Sequence, residues 1–277
     1  MIRILAIDID GTLLNSKSIL EKKTIDSLRE LEEIGVRIVL NSGRVFSSVM
    51  YYANQISKNP VIIANNGAIL GTDYENIIKS YPLEDEVVDR LYSLSKENKL
   101  DFHFYDLNTY YSDTFNERKL KHLLKNPNVD GDYSVNLSIT DNSLEVLRNK
   151  NHRAYKFQIN GIKEDYEIVK TIKNEFNDKL YFTSSINGVV EMMTKNVSKL
   201  ETLKEFAKIT GLKTSNIAAI GDGQNDYEML SGAEISFAMG NAKDELKEIA
   251  NHVVSDNDSG GIIEACEIIR EYNRCLI

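Results

Sequence analysis

Two acidic residues end the first apolar segment of the chain. Residues 2–9 are mostly apolar and continuous, which predicts a strand buried on both faces. Asp8 and Asp10 are two positions apart, so in an extended backbone both carboxylates project from the same side. This arrangement suits a metal-assisted nucleophile, Asp8, beside an acid and base, Asp10. A polar strand end that pairs with a lysine or caps a helix has the same pattern. Asp-x-Asp alone therefore does not distinguish a catalytic pair from a structural one.

A second pair of acids follows another apolar segment. Asp222 and Asp226 come directly after residues 216–220, which are predicted to form a buried strand. Like charges gathered at one edge of a sheet repel each other, so a cation is expected among them. Clustered carboxylate oxygens suit Mg²⁺, which favours phosphate-bearing substrates. The metal-ligand candidates are Asp8, Asp10, Asp222 and Asp226.

Cationic and hydroxyl side chains also occur together at two further places, residues 42–44 and 198–199. Ser198 is predicted to cap a helix, which makes Lys199 its first residue, where a lysine is unfavourable unless an anion lies in front of it. A solvated surface lysine is the alternative. Ser42 and Gly43 offer a hydroxyl and backbone N–H groups to a phosphoryl oxygen. Arg44 binds a second anionic group or pairs with a surface acid.

The order of strands and helices predicts an α/β fold with a Rossmann-like parallel-sheet core and helices on both faces. Polar residues follow the carboxyl ends of the predicted strands, which is where open α/β sheets bind ligands. A short hairpin is predicted from Ala68–Leu70 and Ile77–Tyr81. The predicted core strands after the first are 36–40, 61–64, 188–193, 216–220, 234–238 and 252–254. The predicted core helices are 19–34, 45–57, 198–210, 226–231, 242–249 and one from about 259.

Residues 82–187 break the strict alternation. They mix predicted helices and strands in an α+β order and are rich in aromatic residues, which predicts an inserted domain with an aromatic sheet core. The catalytic core is then assembled from residues 1–81 and 188–277. The predicted helices of the insertion are 84–98 and 163–177, and its predicted strands are 101–105, 135–139, 154–160 and 180–185.

The composition is that of a globular protein, with 42% hydrophobic and 27% charged residues among 277. A net charge of −9 argues against a nucleic-acid partner. Only two cysteines are present and the first apolar run is too short for a signal peptide, so a cytoplasmic location is expected. No apolar stretch is long enough to span a membrane, and the sequence indicates no oligomeric state.

Together the motifs resemble the four motifs of the haloacid dehalogenase superfamily of phosphatases. The matching segments are Asp8-Ile9-Asp10-Gly11-Thr12, Ser42-Gly43-Arg44, Lys199 and Gly221-Asp222-Gly223-Gln224-Asn225-Asp226. They occur in order, with the insertion between the second and third, as in the Cof-like branch with its large cap. Asn66-Gly67-Ala68 is similar to a further pattern of that branch. The chain departs at Asn196 and Leu200, where the family usually has glycine.

The resemblance implies a role for each matched residue. Asp8 forms an aspartyl-phosphate, and Asp10 is the general acid and base. Ser42 and Lys199 hold the phosphoryl oxygens, while Asn225 orients the phosphate or Lys199. The implied Mg²⁺ site consists of Asp8, the main-chain oxygen of Asp10, and Asp222, with Asp226 in support.

The sequence therefore predicts a Mg²⁺-dependent phosphomonoester hydrolase that acts on small phosphorylated metabolites. A phosphomutase of the same architecture returns the phosphoryl group to a different hydroxyl. A phosphate-sensing module with vestigial catalysis gives no reason for Asp10. A metal-dependent glycosyltransferase gives no reason for Lys199 or the second acid pair.

Overall fold

The structure, a computed structural model, describes residues 1–115, 120, 133–161, 167–184 and 188–275. These residues form two sheets, each with its own helices. Within these ranges, no helix combines the length and apolar character required to cross a membrane.

The first sheet has eight strands in the order β14-β13-β12-β1-β2-β3-β4-β5. The strands of this sheet are β1 Ile4–Ile7, β2 Arg37–Asn41, β3 Val61–Ala64, β4 Ile69–Gly71, β5 Ile77–Ser80, β12 Ile217–Gly221, β13 Ile235–Ala238 and β14 His252–Val253. Strands β14 to β3 are parallel, and the hairpin β4–β5 adds two antiparallel strands at one edge. The predicted parallel core and its hairpin are both confirmed.

Both faces of this sheet are covered. Every residue of β1, β3, β12 and β13 is buried, which requires helices on either side. The core helices are α1 Lys22–Glu33, α2 Phe46–Ile56, α6 Lys199–Ile209, α7 Tyr227–Gly232, α8 Asp244–Ile249 and α9 Gly261–Arg274. Helix α1 packs on α2 and α9, while α7 packs on α6 and α8. The predicted α/β fold class is confirmed.

The second sheet has six strands in the order β10-β11-β9-β6-β7-β8, and only β7 and β8 are parallel. Its strands are β6 Asp101–Tyr105, β7 Thr109–Ser112, β8 Asn136–Ile139, β9 Lys156–Asn160, β10 Leu180–Thr183 and β11 Val189–Thr194. Its described helices are α3 Asp85–Glu97, α4 Ser143–Asn149 and α5 Glu167–Phe176. The predicted start of helix 163–177 and the predicted end of strand 180–185 lie outside the described ranges.

One strand was assigned to the wrong sheet. Residues 188–193 were predicted to resume the parallel core, but β11 pairs antiparallel with β9 and β10 in the second sheet. The apolar run Val189-Val190-Glu191-Met192-Met193 satisfies a buried strand in either sheet, so hydrophobicity could not separate them. We therefore propose that the inserted domain extends to Thr194 instead of residue 187.

Two short elements of the insertion were not predicted. Strand β7 has four residues and lies between polar residues, Asn108 and Asp113. Helix α4 has seven residues, fewer than periodicity needs for a clear signal. Its beginning does carry a cap, because the side chain of Asn142 accepts a hydrogen bond from Glu145 N.

The second sheet presents one face to its own helices and the other to the core. In β6, β9 and β11, residues such as Phe104, Phe157 and Met192 belong to the apolar cluster that includes α3 and α5. The alternate residues point the other way, toward the eight-stranded sheet. Met193 accordingly packs against Ala68 of the core. Tyr105 packs against Val45, just before α2.

A turn over Asn65–Gly67, directly after β3, connects several of these parts. Asn65, Asn66 and Gly67 all have positive φ, and all are buried. The hydroxyl of Thr202 in α6 donates to the carbonyl of Gly67 over 2.7 Å. A Cβ atom added at Gly67 would lie 2.3 Å from the carbonyl oxygen of Ser198. The turn and the beginning of α6 therefore interlock.

We expect Gly67→Ala to destabilise the protein more than Gly211→Ala. Both glycines have positive φ, 106° and 74°, but no atom lies within 4 Å of a Cβ built at Gly211. Backbone strain alone should lower the free energy of unfolding by about 1–2 kcal/mol in Gly211→Ala. The clash with Ser198 should add about 1–3 kcal/mol in Gly67→Ala. Urea unfolding of both variants measures the difference, and equal losses would contradict the interlock.

Candidate active site

The candidate site lies at the carboxyl ends of neighbouring parallel strands. Ile7 of β1 is in register with Ile220 of β12, so Asp8 and Asp222 leave the sheet side by side. Carboxylate oxygens of Asp8, Asp222 and Asp226 all lie within 4.8 Å of one another. Asp8 and Asp226 are buried, and Asp222 is partly buried. Parallel pairing therefore brings together residues more than 200 positions apart.

Lys199 provides a positive charge inside this cluster. It is the first residue of α6, as predicted, and Ser198 caps the helix by accepting from Glu201 N. Its Nζ lies 2.5 Å from Oδ1 of Asp8 and 2.6 Å from Oδ1 of Asp226. The residue is only 2% exposed, so the solvated surface lysine is excluded. Burial by itself would lower the pKa of Lys199, but the charges of Asp226 and Asp8 raise it above its usual value.

Asp226 also shapes the loop that carries Asp222. Its Oδ2 accepts hydrogen bonds from the backbone N–H of Asp222 at 3.1 Å and of Gly223 at 3.0 Å. With Oδ1 on Lys199, both oxygens of Asp226 already have partners within the protein. This favours a supporting position for Asp226.

Asp222 is oriented by a residue to which the sequence assigned no role. The hydroxyl of Thr12 donates to its Oδ1 over 2.8 Å. The neighbouring Gly11 has a φ of 81°, and a Cβ built there would lie 2.3 Å from Oδ2 of Asp222. Only glycine lets the main chain after Asp10 approach this carboxylate so closely. Thr12 belongs to the opening motif, and that position was its only signal in the sequence.

The two acids of the opening motif do not continue one extended strand. Strand β1 ends at Ile7, and residues Ile9–Leu13 form an irregular turn in which Asp10 and Gly11 have non-helical backbone angles. The premise of an extended backbone through Asp10 was therefore wrong. Asp8 points to Lys199, whereas the Asp10 side chain is 61% exposed and pairs with Arg44.

Arg44 holds Asp10 with two parallel hydrogen bonds. Its Nε donates to Oδ2 over 2.7 Å and its Nη2 donates to Oδ1 over 2.6 Å. This is the second of the two alternatives that the sequence left open for Arg44, pairing with an acid. A carboxylate that accepts two hydrogen bonds from a guanidinium group has no proton to donate, and the pairing opposes its protonation until the pair separates.

The remaining predicted residues lie around this cluster. Ser42 is buried directly after β2, and its Oγ accepts a weak hydrogen bond from Arg44 N over 3.3 Å. Gly43 follows it, and its carbonyl accepts from Lys156. Asn225 donates to Oδ1 of Asn66 over 3.1 Å. The side chains of Asn66 and Lys156 thus reach the site without having been predicted to belong to it.

The donor set fits a divalent cation. Asp10 is balanced by Arg44, but three carboxylates, those of Asp8, Asp222 and Asp226, share the single charge of Lys199. Ionisation of all three leaves two negative charges without a partner in this cluster. Carboxylate oxygens with no histidine or cysteine among them favour Mg²⁺ over softer metals.

Burial and this excess of negative charge both raise the pKa values of two of the acids, Asp8 and Asp222. Burial raises the pKa of Asp8 well above its usual value, and the charge of Asp226 raises it further, although Lys199 opposes both. Burial followed by Asp226 raises the pKa of Asp222 to about 6. A bound cation favours the ionised form of such groups.

Comparisons with known proteins agree with this geometry. A profile of the haloacid dehalogenase-like hydrolase family matches residues 5–266. A 5-amino-6-(5-phospho-D-ribitylamino)uracil phosphatase of Bacillus subtilis is 25% identical over 95% of this chain and 94% of its own length. A second phosphatase of that name and organism is 30% identical over 93% of this chain and 94% of its own length. The crystal structure of a haloacid dehalogenase-like hydrolase from Bacteroides thetaiotaomicron is 26% identical, with a TM-score of 0.81 over 97% of this chain and 100% of that chain.

We expect Asp222→Asn to stabilise the metal-free protein near neutral pH. A pKa raised to about 6 means that the folded state favours protonated Asp222, so the stability it contributes is lost as pH rises through about 6. The variant cannot ionise there, so in chelator its melting temperature should exceed the parent's at pH 7.5 by roughly 5 °C. The excess should shrink as the pH falls toward 5.

The control is Asp258→Asn, at an exposed carboxylate whose pKa is lowered by the backbone N–H and side chain of Ser16. That substitution should give no gain at pH 7.5. A gain from Asp222→Asn that grows toward pH 5, or no gain at all, would contradict the electrostatic description of the cluster.

Proposed function

Because the chain belongs to the haloacid dehalogenase-like hydrolase family and is a phosphatase, we propose that it hydrolyses phosphate monoesters of small metabolites with Asp8 as nucleophile and Mg²⁺ as cofactor. The observation that carries this proposal is the placement of buried Asp8 between Lys199, 2.5 Å away, and the carboxylates of Asp222 and Asp226. A structural ion pair has no need of the two further acids.

In the first step, Oδ of Asp8 attacks the phosphorus atom, and the bond between phosphorus and the ester oxygen breaks. Asp10 gives its proton to the departing oxygen, which leaves as an alcohol. Lys199 and the hydroxyl of Ser42 hold the phosphoryl oxygens, whose charge must be neutralised during transfer. The product of this step is a phosphoryl group on Asp8.

In the second step, Asp10, now a carboxylate, takes a proton from water while the water oxygen attacks the phosphorus atom. The bond from phosphorus to Asp8 breaks, which releases inorganic phosphate and restores both acids. Asp10 acts first as an acid, so it must separate from Arg44 when the substrate binds. An anionic oxygen of the substrate is the natural alternative partner for the guanidinium group.

The Mg²⁺ ion would be held by Asp8, Asp222 and the main-chain oxygen of Asp10, with Asp226 behind them. When bound, it supplies positive charge to the phosphoryl group and to Asp8. Gly11 keeps the main chain close to Asp222, which supports this ligand set.

The substrate class rests on the relatives and on the domain arrangement. Two relatives are named for a phosphorylated ribitylaminouracil, a small phosphate ester. The inserted domain packs on the core next to the candidate site, at Val45 and Ala68, so we propose that it contributes the contacts to the alcohol part of the substrate.

We expect release of inorganic phosphate from a panel of phosphorylated metabolites to require Mg²⁺. Chelation should abolish it and Mg²⁺ should restore it, because Asp8 cannot approach a phosphate dianion without charge neutralisation. Asp8→Asn should be inactive on every ester, while the matched control Asp85→Asn, at an exposed acid of the inserted domain, should keep the parent's rate.

Full turnover of the parent in chelator would contradict the proposed metal. Conversion of a sugar phosphate to its isomer without free phosphate would identify a phosphomutase. No reaction with any ester, with unimpaired binding of phosphate, would favour a phosphate-sensing module.

A further inference from the structure

A second buried ion pair lies on the core-facing side of the six-stranded sheet. Lys156 of β9 and Glu191 of β11 are 4% and 2% exposed, and Nζ lies 2.8 Å from Oε1. Both belong to the inserted domain, and neither belongs to the cluster of acids around Lys199. The ring of Tyr105 in β6 also faces this ammonium group, with its centroid 5.0 Å away.

Stability alone does not explain this pair. Removing two charges from water costs several kcal/mol per ion, and well-packed apolar residues often serve a core equally well. The neighbours of Glu191 in β11 are apolar, so an apolar pair would match its surroundings. The contacts that the two side chains make outside their own domain therefore need a separate explanation.

Both members of the pair reach into the core. Nζ of Lys156 donates to the carbonyl oxygen of Gly43 over 2.6 Å. Oε2 of Glu191 accepts from Nδ2 of Asn66 over 3.2 Å. The first contact ends on the Ser42–Gly43 segment, and the second ends on the turn after β3.

Asn66 relays the second contact to two parts of the candidate site. Its backbone N–H donates to the carbonyl of Ser42 over 3.0 Å. Its Oδ1 accepts from Nδ2 of Asn225 over 3.1 Å. The residue is 1% exposed and has a φ of 54°, an unusual conformation for a residue other than glycine. Such strain persists only where surrounding contacts hold it.

We propose that Lys156 and Glu191 are positioning residues that complete the phosphate-binding site when the inserted domain rests on the core. Lys156 fixes the Ser42–Gly43 backbone, and Glu191 fixes Asn66 and through it Asn225. Separation of the domains breaks both contacts and loosens the site, so binding of the phosphoryl group is coupled to docking of the inserted domain. The consequence for catalysis rests on the proposed function, whereas the coupling itself does not.

The test compares two double variants of the same chemistry. Lys156→Met/Glu191→Leu removes the pair that reaches the core. Lys96→Met/Asp113→Leu removes a pair within the inserted domain, where Nζ lies 2.5 Å from Oδ2 and Asp113 bonds to Tyr92 and Ser143. Hydrogen exchange, followed by mass spectrometry, measures the peptides that cover residues 41–46 and 64–68.

In the first variant we expect these core peptides to exchange at least about fivefold faster than in the parent, since two anchoring hydrogen bonds are lost. In the control they should exchange at the parent's rate. The kcat for an activated aryl phosphate should fall about 10- to 100-fold in the first variant only, because displaced binding groups no longer fit the reacting phosphoryl group.

Parent-like exchange in the core peptides, parent-like kcat, or equal acceleration of exchange in both double variants would overturn the inference. If the first variant does not fold, Lys156→Met alone decides by the same criteria, because it removes the bond to Gly43 and leaves Glu191 in contact with Asn66. If the parent hydrolyses no ester, the proposed function fails, and the exchange comparison with and without inorganic phosphate still decides the coupling.

Discussion

The site depends on one electrostatic constraint: three carboxylates surround a single buried ammonium group. Lys199 donates to one oxygen each of Asp8 and Asp226. Among the described residues, the side chain of Asp222 accepts a hydrogen bond only from the hydroxyl of Thr12. Burial, followed by the negative charge of Asp226, raises the pKa of Asp8 and of Asp222. Such an arrangement is costly for a metal-free protein and favourable once a divalent cation is bound. The imbalance of charge that lowers the stability of the metal-free site is compatible with a divalent cation at this position.

The fold supplies this cluster through strand order. Because β12, β1 and β2 are adjacent and parallel, their carboxyl ends deliver Asp222, Asp8 and Ser42 to one edge of the sheet. Helix α6 then inserts Lys199 from outside the sheet, and its N-terminus is fixed by the turn over Asn65–Gly67. Within the part of the chain that the structure describes, the inserted domain contributes no residue to this cluster. That domain acts on the site indirectly, through Gly43 and Asn66.

The local sequence was sufficient to predict the helix start and the turn that carry two of the site residues. The capping sequence from Ser198 to Glu201 identified the first residue of α6, and the glycines beside Asp222 identified a turn after a buried strand. The partners of Arg44 and Glu191 depend instead on tertiary contacts. The apolar run around Glu191 matches either sheet, so its strand was assigned to the wrong one. The charged residue inside this apolar run was the available sign that the strand has a polar partner elsewhere in the fold.

The nucleophile is the central claim, and trapping the covalent intermediate tests it most directly. Asp10→Asn retains Asp8 but loses the base that activates water, a contribution of about 10²–10⁴-fold. Given an activated aryl phosphate and Mg²⁺, then quenched rapidly in acid, this variant should gain one phosphoryl group in its intact mass. Peptide mapping should locate that group on Asp8. A phosphoryl group on Ser42 or on a histidine would contradict the assignment of Asp8 as the nucleophile.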